Sequence, residues 1–280
     1  EDISRYKVIV ISGCHIRRDV AMRLAKWVEA GGTLVTSGWG MARDESDRPL
    51  EILWPVFGLT ARGKFDAWGS VPGYGGSHLG AVRKKSEPPE GATVTGKGPL
   101  KGSFVPVVGR EILDPKQGDD VMASYADGKA AVVRHRYGKG TAWLIGTYAG
   151  VEYAWEPMLN TDKDPKWYIA DKRSWIAGPV LEAGVRPVVD AEGFKNIWED
   201  AAFVEGHMLR NRKTGALAVI LINWAHHIRT PVTVKIREAG NMKTAKSVAT
   251  GETFPLERKG DLVVATMPKL DEGDILLLIP

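Results

Sequence analysis

Cysteine is nearly missing: one thiol, Cys14, in 280 residues. An internal disulfide is therefore excluded, and cysteine usage leaves the compartment open. Long apolar runs are missing too. None reaches membrane-spanning length, and no signal peptide is visible. Charge of one sign is also scarce. The formal net charge is +4, and the basic residues are scattered, with short local clusters such as Lys84-Lys85 and Arg134–Arg136. Nucleic-acid binding normally needs a basic stripe, so this distribution argues against it. No phosphate loop is present, because Gly96-Lys97-Gly98 and Gly138-Lys139-Gly140 lack the required spacing. The glycines of Gly73–Gly80 follow no clear strand and give no dinucleotide signal. The six histidines, His226-His227 included, lack the spacing of a zinc site. No metal and no cofactor is expected.

What is present is ordinary in bulk, with 44% hydrophobic and 26% charged residues, and long enough for two cores. The chain is organised around Tyr6–Ala42. Val8–Ile11 is an apolar, β-branched run, the pattern of a strand buried on both faces. Val20, Leu24, Trp27 and Val28 form a stripe at helical spacing over Asp19–Ala30. Gly31-Gly32 suits a helix exit through positive φ. Thr33–Ser37 reads as a second buried strand, followed by the turn Gly38-Trp39-Gly40. The whole is a parallel βαβ unit, which binds ligands at the carboxyl ends of its strands.

Asp44, Glu45 and Asp47 lie in an acidic stretch without the calcium-loop pattern, so a solvated turn is expected. Pro49–Leu59 reads as a short helix broken by Pro55. Arg62–Gly109 is rich in Gly and Pro and reads as an irregular insertion, too long for a plain connection. Val121–Tyr125, Ala130–Tyr137 and Thr141–Gly146 read as strands, the last two a hairpin through Gly138-Lys139-Gly140. Arg173–Ala183 reads as a helix perturbed by Pro179. From Val185 onward six short strands without helix suggest a β-sandwich. The boundary is placed near Asp190, giving domains 1–190 and 191–280.

Three groups of residues invite chemistry. Cys14-His15 pairs a thiol with an imidazole, but sequence neighbours rarely face each other, and a structural role is expected. Ten tryptophans are unusual. Trp39, Trp68, Trp155 and Trp167 fall in expected loops, where an indole face can stack on a sugar ring or fill a core. Glu152 and Glu156 stand four apart among aromatics. Glycoside hydrolysis needs two carboxyl groups that flank a bond, whereas this pair points one way from one helix. A polar, sugar-contacting or interface role fits the two glutamates better than catalysis.

The stretch DISRYKVIVISG…VAMRLAKWVEAGGTLVTSGWGMARDESDR resembles the central domain of family 42 β-galactosidases. The hairpin ADGKAAVVRHRYGKGTAWLIGT resembles the same domain further on. LAVILIN, SVATGETFPL and LDEGDILLLIP resemble the small β-sandwich that ends many such enzymes. Arg62–Asp120 and Tyr148–Lys172 fall outside the resemblance. The resemblance implies a flavodoxin or class I glutamine-amidotransferase-like three-layer α/β domain, followed by a small antiparallel β-sandwich. It implies self-association as a trimer, with a catalytic barrel upstream and a carbohydrate ligand. Active amidotransferases carry a nucleophilic Cys in a G-x-C-x-G turn; here Gly38 stands in that place, so amidotransferase chemistry is expected to be lost. No run of eight strand–helix repeats is present, so no catalytic residue is assigned. The start at Glu1 suggests a processed chain or a fragment of something longer. The expected role is non-catalytic assembly and substrate positioning in a glycoside hydrolase, with Trp39, Trp68, Trp155, Trp167, Glu152 and Glu156 as substrate contacts. Two alternatives stand beside it: a carbohydrate-binding module, and a free-standing hydrolase using Glu152 and Glu156 or Cys14.

Overall fold

The computed structural model describes residues 2–70, 83–84, 86–117, 120–154, 172–186, 188–193, 204–223, 228 and 230–280. These divide into two compact units, one up to Val185 and one from Arg186.

The first unit begins with β1 (Val8–Ile11), α1 (Arg18–Glu29) and β2 (Thr33–Ser37). β1 and β2 are parallel, with Val10 opposite Val35. α1 buries Ala21, Leu24, Trp27 and Val28. Gly32 is required where the chain leaves the helix, since a Cβ there would stand 2.3 Å from the Trp27 indole. β2 is buried as expected. β1 is not: Val10 is 61% exposed. The reason is position, because β1 ends the sheet while β2 lies between two strands.

The strand Gly140–Ile145 runs parallel to β2 on its other side. Beyond it every pairing is antiparallel. Ala130–Tyr137 follows through the expected hairpin, then Val121–Tyr125, Val94–Gly96 and Ser103–Phe104. Gly109–Pro115 also pairs with Ala130–Tyr137, and with β3 (Leu59–Ala67). The expectation of a three-layer flavodoxin-like domain is therefore corrected. Strand accounts for 45% of the structure and helix for 14%, and both sheets are curled. The physical reason lies in the connections. Parallel neighbours need long crossovers, whereas Asp127-Gly128 and Gly138-Lys139-Gly140 are hairpin turns that return the chain antiparallel. Little sequence is left over for the helices that would cover both faces.

The second unit is an eight-stranded antiparallel sheet that folds over on itself, its two halves enclosing one core. Its order is Val189–Gly193, Val232–Arg237, Leu262–Met267, Thr253–Lys259, Thr244–Ser247, Gly273–Ile279, Leu217–Asn223 and Val204–Arg210. The strand Thr253–Lys259 explains the single sheet. Its first half, through Pro255, pairs with Thr244–Ser247, and its second half, from Leu256, pairs with Leu262–Met267. The ladder thus passes around a bend where Pro255 supplies no N–H. Val232, Val234, Ile236, Val263, Ala265, Leu276 and Leu278 alternate inward to form the core. No described helix is long and apolar enough to cross a membrane.

Candidate functional site

β2 ends at Ser37, and the next four residues make a compressed loop. Gly38 donates its N–H to Ile145 O at 3.0 Å, and Met41 donates to Gly13 O at 2.7 Å. Gly38 has φ 53°, and a Cβ on it would lie 2.2 Å from the Tyr148 ring. A Cβ on Gly40 would lie 2.1 Å from Thr36 Oγ1. Only glycine fits either place. Trp39 and Met41 also take positive φ, 62° and 54°. Such conformations are strained for large side chains and persist where the surroundings impose them. Met41 is buried in the core below. Trp39 is half-buried and lines a cavity of about 220 Å³.

Arg43, Glu51, Trp54, Arg62 and Lys64 line the same cavity. The loop after β2 supplies Arg43, whose guanidinium carbon lies 5.3 Å from the Trp39 ring centre. A 3-10 turn, Glu51–Leu53, supplies Glu51 and sets Trp54 at its end. Expected to be part of a helix, Pro49–Leu59 instead buries Leu50, Leu53, Val56 and Phe57, which leaves Trp54 half-buried at the wall. β3 supplies Arg62 and Lys64. Arg62 is anchored: Nε and Nη2 donate to the two oxygens of the buried Glu111 at 2.6 and 2.8 Å, and Nη1 donates to Gly40 O at 2.9 Å. This arrangement couples the conformation of the Trp39 loop to a buried ion pair.

Below the loop, Asp44 corrects the expected solvated turn. It is buried, its Oδ1 accepts the N–H groups of Ser46 and Arg48, and its Oδ2 accepts from Arg18 Nε at 2.7 Å. The backbone N–H of Arg48 is the main reason its carboxyl is held below the usual aspartate range. His15 Nε2 lies 3.0 Å from Asp47 Oδ1, at the surface. Cys14 is half-buried, and burial pushes its thiol up, away from thiolate chemistry. Among the described residues no group of acidic, His or Cys side chains could hold a metal ion.

The other expected substrate contacts fare differently. Trp68 is 3% exposed, and its indole N–H donates to Pro106 O at 2.6 Å. It is a buried residue with a satisfied polar atom. Glu152, in the helix Ala149–Ala154, is 1% exposed. Its Oε1 accepts the Val107 N–H at 2.8 Å, and its Oε2 lies 4.0 Å from Lys172 Nζ. It braces a loop inside the first unit. Trp155, Trp167 and Glu156 lie outside the described residues. Trp54 went unnoticed in the sequence because it sits within an apolar run that reads as core.

No protein-family model matches the chain, and no curated protein matches it in sequence. Solved structures do match. Gan42B, a GH42 β-galactosidase of G. stearothermophilus, superposes with a TM-score of 0.60 at 18% identity, over 99% of this chain and 32% of its own. A β-galactosidase from Bacillus circulans sp. alkalophilus gives 0.60 at 19%, over 100% of this chain and 34% of its own. The likeness is one of fold. α-L-Fucosidase isoenzyme 2 from Paenibacillus thiaminolyticus is similar at a TM-score of 0.51 and 13% identity, over 100% of this chain and 41% of its own. The chain thus spans about a third of the length of the β-galactosidases it resembles.

Proposed function

We propose that this chain is a non-catalytic, carbohydrate-positioning part of a glycoside-hydrolase-like protein. The observation that carries the reading is the cavity beside β2, where Trp39 is held in a strained conformation next to Trp54 and a set of charged groups. Indoles beside a few placed polar groups are what a sugar ring needs: an apolar face to stack on and partners for its hydroxyls. The likeness in fold to GH42 β-galactosidases and to a fucosidase supports a carbohydrate as the ligand class. The burial of Glu152 favours positioning over a hydrolase built on that glutamate.

Titration of intrinsic tryptophan fluorescence with monosaccharides tests the reading. Saturable quenching is expected, and it is expected to disappear in Trp39→Ala while circular dichroism is unchanged. A flat response to every sugar overturns it.

Self-association belongs to the same proposal. Ile275, Leu277 and Ile279 are exposed on one face of the second unit, and Ile275 and Leu277 lie beside Ile220 and Ala218 of the neighbouring strand. A contiguous apolar face of this kind marks interaction surfaces. Light scattering after gel filtration is expected to show an oligomer, and a monomer at high concentration refutes this part.

A further inference from the structure

Three cationic side chains line the Trp39 cavity, and their charges are not equally spent. Arg62 is neutralised by Glu111 through two hydrogen bonds, with a third to Gly40 O. Arg43 donates Nη1 to Asp47 O at 3.0 Å, and its Nε lies 4.0 Å from the Asp47 carboxylate, which also faces His15. Its planar group rests near the Trp39 ring. Lys64 is different. Among the described residues its ammonium has no ion pair and no hydrogen bond, although it lines the cavity. Among the described residues the sole carboxylate on the cavity wall is Glu51.

We infer that the cavity selects a sugar bearing a single carboxylate, a hexuronate, over the neutral hexose. The inference rests on the carbohydrate reading above and names the substrate class for that site. The two indoles take the body of the ring. Glu51 accepts hydrogen bonds from hydroxyl groups, as only an acceptor-only side chain must. Lys64 supplies the charge-assisted hydrogen bond that a sugar carboxylate needs and a hydroxymethyl group cannot match. Glu51 also disfavours a doubly charged ligand such as a phosphate ester, because a second negative charge would face it with no spare cation. The volume points the same way. About 220 Å³ is below the roughly 300–1,000 Å³ of drug-sized sites, which suits one ring and not a chain of them.

The test is a set of fluorescence titrations with galacturonate, glucuronate, galactose and methyl galacturonate ester, on wild type, Lys64→Met and Trp54→Ala. A uronate is expected to bind about tenfold or more tightly than galactose and than the ester. The preference is expected to shrink with added salt and to vanish in Lys64→Met. Trp54→Ala is expected to weaken every sugar alike. Equal binding of uronate, ester and galactose overturns the charge selection and leaves the carbohydrate reading standing. No binding of any sugar overturns both. Binding of acetate as tight as that of the uronates overturns the sugar part, leaving a plain anion site.

Discussion

Arg62 and Glu111, 49 residues apart in the chain, meet as a buried two-point ion pair, and the same guanidinium holds the carbonyl of Gly40. The pair fastens β3 to Gly109–Pro115 and fastens both to the loop that carries Trp39. A buried charge left without its partner costs about 3–5 kcal/mol. Arg62→Met or Glu111→Leu alone is expected to lose that much in urea denaturation. The double variant is expected to recover most of it, because no charge is stranded. Equal losses in single and double variants refute the argument. Sugar quenching of Trp39 is expected to weaken in the double variant even so, since Gly40 is released.

Trp68 is a test of core against surface. Trp68→Ala is expected to cost about 3–5 kcal/mol in stability, the range for emptying a large aromatic site. Sugar titration of the folded fraction is expected to be unchanged. A stable variant with lost sugar binding contradicts its assignment to the core.

Gly38 takes positive φ at the end of β2, and the space a side chain would need there is already filled by Tyr148. Gly38→Cys is expected to lose about 1–3 kcal/mol from positive-φ strain alone, before the clash is counted. Gly38→Ala in a Tyr148→Ala background is expected to cost less than Gly38→Ala in wild type, a coupling that a double-mutant cycle measures. Simple additivity contradicts the contact.

Asp44 sets a pH dependence. Its folded-state pKa is lowered, chiefly by the Arg48 N–H, so the folded state favours the carboxylate more than the unfolded state does. That contribution is complete above the unfolded aspartate pKa and is lost as pH falls through the lowered folded value. Asp44→Ala is therefore expected to be less stable than wild type at pH 7, with the difference shrinking on acidification below pH 4. A constant difference from pH 7 to pH 2, read by denaturation midpoints, rejects this account.

For Cys14 the direction is opposite, since burial raises the thiol's pKa. Alkylation by iodoacetamide at pH 8 is expected to be slower in the folded protein than in guanidinium chloride, because less thiolate forms. Fast labelling of the folded chain counts against a structural thiol.

Local pattern was sufficient where the interactions are local. The helical stripe of α1, the β-branched run of β2 and the turn Gly138-Lys139-Gly140 each encode backbone angles and a buried face within a few residues. β3 was missed because LTARGKFDA holds a glycine and three charges, and its pairing with Gly109–Pro115 is irregular between Arg62 and Phe65. No period of two survives such a break. Thr253–Lys259 was missed for a related reason: Pro255 argues against a strand until its two halves are seen to pair with different neighbours.

By itself the sequence determined the βαβ opening, the hairpins, most strands of the second unit and the candidacy of Trp39. Tertiary structure decided the sheet order, sent Trp68 and Glu152 inside, and brought Trp54, Arg43 and Lys64 to Trp39. The reason is physical. Backbone propensity and periodicity report which face of an element avoids water. Which distant surface then covers that face is set by chain closure and by pairings such as Arg62 with Glu111, whose partners share no local signal.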